Sequence, residues 1–220
     1  IMLYPETPPA LGTDFTNVPR NIPVRVPCGK VSVYQNASGW NEFTNIQEFC
    51  DPLTYSINPD GVSVTVTGHV DGTDATGELF IPEIKVIDGV AYTVTAIGNN
   101  AFSNCSGLTG SLIIPNTVTS IGEFAFSSCT GLTGNLILPN ALTTIGRYAF
   151  QNCPGFTGDL TLPNTLTTLG NGAFYLCDGF NGNLTLPNSI TTIGKDTFAS
   201  CKFTGSLTIP NTVTSIGETT

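Results

Sequence analysis

CTGLTGNLILPNALTTIGRYAFQN, running from Cys129 to Asn152, decides the architecture, because the chain says it again and again. Near copies begin at Cys105, Cys153 and Cys177, each 24 residues from the next. A further copy begins at Cys201, lacks the glycine after its cysteine, and stops inside the unit at Thr220. A short unit returning at a fixed period buries its apolar face only against the units before and after it, which makes a solenoid. Such a chain predicts a surface made by repetition, with no enclosed catalytic pocket.

The logic inside a unit is local. Leu112 and Ile114 alternate with outward positions and predict a short strand. Pro115-Asn116 turns the chain, Val118 and Ile121 point inward again, and Gly122 permits a tight bend. Ala125-Phe126 reads as a single helical turn. The phenylalanines of that column, Phe102, Phe126, Phe150, Phe174 and Phe198, are expected to stack as a continuous spine.

Outward from the repeats, the spacing defines three regions: residues 1–49, 50–80 and 81–220. In 81–220 the first unit, opening at Ile81-Pro82, carries an insertion over about Glu83–Tyr92, with Asp88-Gly89 at a hairpin turn. In 50–80, Tyr55–Asn58 and Val62–Val70 alternate around Pro59-Asp60-Gly61, the pattern of a β-hairpin. A looser loop then leads into Leu79–Ile81. In 1–49 a proline-rich start is followed by a strand over Asn21–Val26 and a short helix within Val31–Phe43, closed by Gly39. Thr220 falls in mid-repeat, so the ends read as cuts in a longer protein.

The unit L-x-[LI]-P-N-x-[VLI]-T-[ST]-I-G-x-x-A-F-x-x-C resembles the BspA-type, or Treponema-type, leucine-rich repeat of bacterial and protist surface proteins. Asp88 to Gly98 resembles the usual entry into such an array, and Leu53 to Val66 the strand pair ahead of it. Pro8 to Gly12, Val24 to Gly29 and Tyr34 to Trp40 resemble the closing module of an array. The resemblance implies a right-handed leucine-rich repeat solenoid, α/β-type and mostly β. It further implies that residues 1–49 close a preceding array, that 50–80 link to the next and open it, and that 81–220 are its coils. It implies a secreted or outer-surface protein that is not an enzyme and acts by adhesion or partner binding, the expected partner being a host matrix or cell-surface protein or a glycan; from the residues themselves no cofactor or metal is expected. It supplies no residue-level binding motif.

Composition narrows the partners. The chain has 16 Asp and Glu against 7 Lys and Arg, a net charge of −9. That argues against nucleic acid, which needs clustered cations, and against docking on anionic lipid. No stretch reaches the 18 apolar residues or so of a membrane span, nor does a signal peptide open the chain. Five of the 7 cysteines (Cys105, Cys129, Cys153, Cys177, Cys201) share one column. They are expected to be buried thiols, since side chains pointing the same way are poorly placed to bridge. Pairing of Cys28 with Cys50 stays open.

Catalysis has little support. His69 is the lone histidine and is expected to be structural or solvated. Asp71, Asp74 and Glu78 read as a solvated turn or, less simply, as Ca²⁺ ligands. The threonine columns (Thr119, Thr143, Thr167, Thr191, Thr214) read as solvent ladders. The remaining candidates are varying positions: Arg147 with Phe124, Tyr148 and Tyr175, aromatics on a surface otherwise rich in Thr and Asn, either contacts for a protein or glycan or covers for the ends of the core. Adhesion competes with two other readings, a spacer that holds another domain away from the cell and a glycan-capture protein feeding nutrient uptake.

Overall fold

The computed structural model describes residues 7–10, 17–27, 30–49 and 51–218. The expected choice between free and paired Cys28 and Cys50 lies outside the described residues. Two compact units divide between Pro52 and Leu53.

In the first unit, β1 (Val24–Pro27) pairs in parallel with β2 (Ile46–Phe49). The single helix expected up to Gly39 is shorter: α1 spans Val31–Gln35, and a 3-10 turn follows at Trp40–Glu42. Gly39 lies between them at φ 81°, a left-handed conformation that reverses the chain and turns Trp40 inward. The Trp40 Nε1–H donates to the carbonyl of Pro9 at 2.7 Å. Tyr34 meets the indole edge-on at 5.5 Å, and Phe43 lies 5.6 Å from it. With Val24 and Val26 these three aromatics form the core of the unit.

The second unit opens with β3 (Leu53–Ile57) and β4 (Ser63–His69), an antiparallel pair. The Asp60 carboxylate nails their turn by accepting from the Val62 and Ser63 N–H groups and the Ser63 hydroxyl. The same bonds hold its carboxyl below the usual range, the Ser63 hydroxyl contributing most. Strand β4 then pairs in parallel with β7 (Val90–Ile97). From β7 a parallel row continues through β9 (Ser120–Ile121), β10 (Thr144–Ile145) and β12 (Thr168–Leu169), setting Ile97, Ile121, Ile145 and Leu169 in one line. The pair β14 (Thr192–Ile193) and β16 (Ser215–Ile216) repeats that arrangement in the last coils. The insertion is a hairpin: β6 (Ile84–Ile87) folds antiparallel onto β7 around Asp88 and Gly89.

A second parallel ladder runs through the Leu-x-Leu segments. It comprises β5 (Thr76–Phe80) with β8 (Gly107–Ile113), then β11 (Gly158–Thr161), β13 (Phe180–Thr185) and β15 (Leu207–Thr208). Between β8 and β11 the coil at Leu132–Ile137 joins only by isolated bridges.

Between the ladders lies the core. The phenylalanine spine is continuous, with centroids 5.2, 5.4, 5.3 and 5.7 Å apart from Phe102 to Phe198. A second file, absent from the sequence expectations, stacks Phe156, Phe180 and Phe203 at 6.1 and 5.4 Å. Each of its rings meets a spine ring edge-on.

The Ala-Phe segment is not the expected helical turn. Each coil carries two left-handed residues four apart there, such as Phe124 with Ser128 and Tyr148 with Asn152, and left-handed backbone cannot continue a helix. The segment bonds to its neighbours instead. The N–H groups of Phe124, Phe126 and Ser128 donate to the carbonyls of Arg147, Ala149 and Gln151 in the next coil, at 2.7–2.9 Å.

The cysteine column is buried except for half-buried Cys201, and its five thiols are free. They do more than fill space. Each of Cys129, Cys153, Cys177 and Cys201 donates S–H to the carbonyl of the spine phenylalanine one coil back, at 2.9–3.2 Å. Burial pushes the thiols of Cys129 and Cys201 up to about 12.

Candidate functional site

One position in each coil stands two residues after the bend glycine: Asn100, Phe124, Tyr148, Gly172 and Asp196. All five are left-handed, with φ between 52° and 64°. Asn, Asp and Gly tolerate that conformation; bulky aromatics do not, and it costs them roughly 1–2 kcal/mol each. The inter-coil ladder enforces it nonetheless, since the Tyr148 N–H must reach the Asn171 carbonyl at 3.0 Å.

Phe124 and Tyr148 partly recover the cost by stacking at 5.3 Å and 25°. Tyr175 meets Tyr148 edge-on at 6.3 Å. The Tyr148 ring comes so close to Gly172 that a Cβ there would run into its Cδ1 and Cε1, so that glycine serves both its own φ and the close approach. The Arg147 guanidinium sits 5.2 Å from the Tyr148 ring and 5.8 Å from that of Phe124. The three aromatics are half-buried and Arg147 is exposed. All four sequence candidates therefore fall in one strip along adjacent coils.

Beside the strip an open groove of about 580 Å³ follows the short parallel strands, lined by Ser120, Thr144, Glu123 and Arg147 among others. The threonine row on this side is less free than a solvent ladder. Thr119, Thr143, Thr167 and Thr214 each donate their hydroxyl to a threonine carbonyl of the preceding coil, at 3.0–3.3 Å.

A second surface escaped the sequence reading. Ile113 and Ile137 are 69% and 74% exposed, at the outward position of Leu-x-Leu, where later coils carry Thr161, Thr185 and Thr208. The change from Ile to Thr in that column was the available signal.

His69 is structural here: its Nδ1 accepts from the Asp71 N–H at 3.1 Å, closing the turn after β4. Among the described residues Asp71, Asp74 and Glu78 belong to no cluster able to hold a metal, and no helix is long and apolar enough to cross a membrane.

Comparison with known proteins matches this picture. A family model described as the BspA type leucine rich repeat region fits residues 92–220 in six copies. Among solved structures, the T. pallidum leucine-rich repeat protein is similar over 76% of this chain and 83% of its own, with 23% identity and a TM-score of 0.60. A leucine rich cell surface protein of Faecalibacterium prausnitzii is 28% identical, with a TM-score of 0.57, over 76% of this chain and 49% of its own. A leucine-rich repeat protein of Bacteroides ovatus is 25% identical, with a TM-score of 0.51, over 76% and 54% respectively. The chain thus spans about half the length of the last two. No curated protein matches.

Proposed function

The chain belongs to the BspA-type leucine-rich repeat family, and from that premise we propose that it is a non-enzymatic binding module displayed outside the cell. Its partner, a protein or glycan of a host or neighbouring microbe, rests on the strip of Phe124, Arg147, Tyr148 and Tyr175. The observation that carries this reading is the left-handed backbone of Phe124 and Tyr148. Folding alone favours Asn, Asp or Gly at that column, as the sister coils have, so aromatics there answer to something other than folding. Half-buried aromatics beside an exposed arginine are the residue types that concentrate binding energy. The cell-surface description of the Faecalibacterium prausnitzii protein supports the location. On the same reading residues 1–49 close a preceding array and 50–80 lead into this one.

The test is binding to immobilised matrix proteins, mucins and a glycan array, beside a Phe124→Asn/Tyr148→Asn variant. Asparagine suits the left-handed site, so the variant keeps its fold. Saturable binding that the variant loses is the expected result. Binding that survives in the variant would take the site off the strip, and none by the parent would move the array to the role of spacer.

A further inference from the structure

We propose that the outer face of the Leu-x-Leu ladder docks an extended cationic segment of a partner protein, with an aliphatic side chain seated on Ile113 and Ile137 between two basic residues. This surface lies on the other ladder from the strip and does not depend on it.

Two isoleucines stand where the sister coils place threonine. Ile113 and Ile137 are in register and 69% and 74% exposed, and Phe80, in register with Ile113, adds a half-buried ring to their line. Single exposed apolar side chains are ordinary, whereas three in one line form a patch. Folding does not ask for them: Thr161, Thr185 and Thr208 serve the same column, and threonine suits a strand as well. The ladder is also interrupted where the isoleucines meet. A groove of about 480 Å³ opens there, lined by Ser111, Leu112, Ile113, Ile114, Asn135 and Ile137.

The charge around the patch has one sign. The outward positions of this ladder, from Thr76 to Thr208, carry Glu78 and Asp159 and no lysine or arginine. The Glu78 carboxylate is exposed and enters no ion pair among the described residues. Asp159 is exposed too, and only its Oδ1 is engaged, accepting from the Asn183 backbone N–H and side-chain amide at 2.6 and 3.1 Å. Its column neighbours, Asn135 and Asn183, are uncharged. Glu78 lies in the coil before Ile113 and Asp159 in the coil after Ile137, so the carboxylates bracket the patch. They are three coils apart, roughly 14 Å at the usual strand spacing. Their line runs roughly 7 Å beside that of the isoleucines, two residues along each strand and within reach of a lysine side chain.

An extended chain lying along the array matches this layout. Its residues i, i+2 and i+4 share one face and span roughly 13 Å. With cations at the outer two and an aliphatic residue between, each charge meets a carboxylate while the middle side chain covers the isoleucines. A second copy of this chain is the competing occupant. It fits less well, because a two-fold pair through this face brings carboxylates against carboxylates on chains whose net charge is −9.

The probe is a labelled heptapeptide with lysine at its second and sixth positions, leucine at its fourth and threonine elsewhere, titrated against the whole chain by fluorescence polarisation. Expected are saturable binding that weakens with salt, a loss of about tenfold in Ile113→Thr/Ile137→Thr, and a loss of about threefold in each of Glu78→Gln and Asp159→Asn. Threonine is the sister residue and the other two changes are isosteric, so all variants should melt with the parent. Phe124→Asn/Tyr148→Asn should bind the peptide as the parent does. No binding, unchanged affinity in the isoleucine variant, or equal affinity for the peptide with glutamate in place of lysine would overturn the proposal. Loss of binding in Phe124→Asn/Tyr148→Asn would overturn it by placing the peptide on the strip. Sedimentation showing a parent dimer that Ile113→Thr/Ile137→Thr abolishes would overturn it in favour of a second copy.

Discussion

The two units bury aromatic rings in opposite ways. In the first, each core residue appears once: Trp40 donates to the Pro9 carbonyl and packs against Tyr34 and Phe43, and nothing among the described residues repeats its role. In the array each role recurs from coil to coil, and Phe150 and Phe174 have near-identical surroundings, each stacked on both sides and met edge-on by a ring of the second file. A core built once is all-or-none. A core built by repetition is a sum of neighbour contacts, in which damage is felt first at the adjoining coils.

Breaking that contrast begins with Trp40→Ala. A loss toward the upper end of about 3–5 kcal/mol is expected, comparable to all that a unit of such size is worth at roughly 0.1 kcal/mol per residue. Hydrogen exchange should show β1 and β2 without protection; retained protection there would refute the single-anchor view. Phe150→Ala removes one ring from a file of five and should cost about 3–4 kcal/mol. Exchange should quicken first in the coils of Phe126 and Phe174, and a melting temperature within a degree of the parent would rule out the spine as the core.

Smaller effects sharpen the comparison. Cys153→Ala deletes the donor to the Phe126 carbonyl, for an expected loss of about 1–2 kcal/mol by urea denaturation. The thiols also give the array its own pH response. Below pH 9 they are protonated in folded and unfolded chains alike, so stability is full. From pH 9 towards about 12 the unfolded chain ionises at Cys129 and Cys201 while the fold keeps them neutral, so stability declines. Alkaline titration of Cys129→Ala should show a shallower fall than the parent. Smallest is Tyr148→Asn, which relieves left-handed strain and loses one ring stack, leaving stability within about 1 kcal/mol of the parent. A large destabilisation would mean that the strip merely covers the core.

The 24-residue period made the solenoid, the spine and the inserted hairpin legible, because periodic burial leaves its mark in side-chain type. The four strip residues could be read as neighbours for the same reason. What could not be read is backbone conformation that contradicts side-chain preference. Nothing about Phe124, Tyr148 or Leu176 announces a positive φ; only Asn100, Gly172 and Asp196 hint at it, and the helical turn was misjudged accordingly. The thiol-to-carbonyl bonds were equally hidden, since Cys passes for a small apolar residue. The β1–β2 pairing was missed because parallel partners lie far apart in sequence and carry no turn between them.

The left-handed column has a consequence for descent. Because the ladder between coils sets its backbone whatever side chain it holds, an aromatic gained in one coil and an Asn or Gly regained in another would slide the contact strip along the axis in steps of about 4.8 Å. Such a molecule could change its address for a partner by single codons and retain its scaffold, as a ruler keeps its marks while the reading moves.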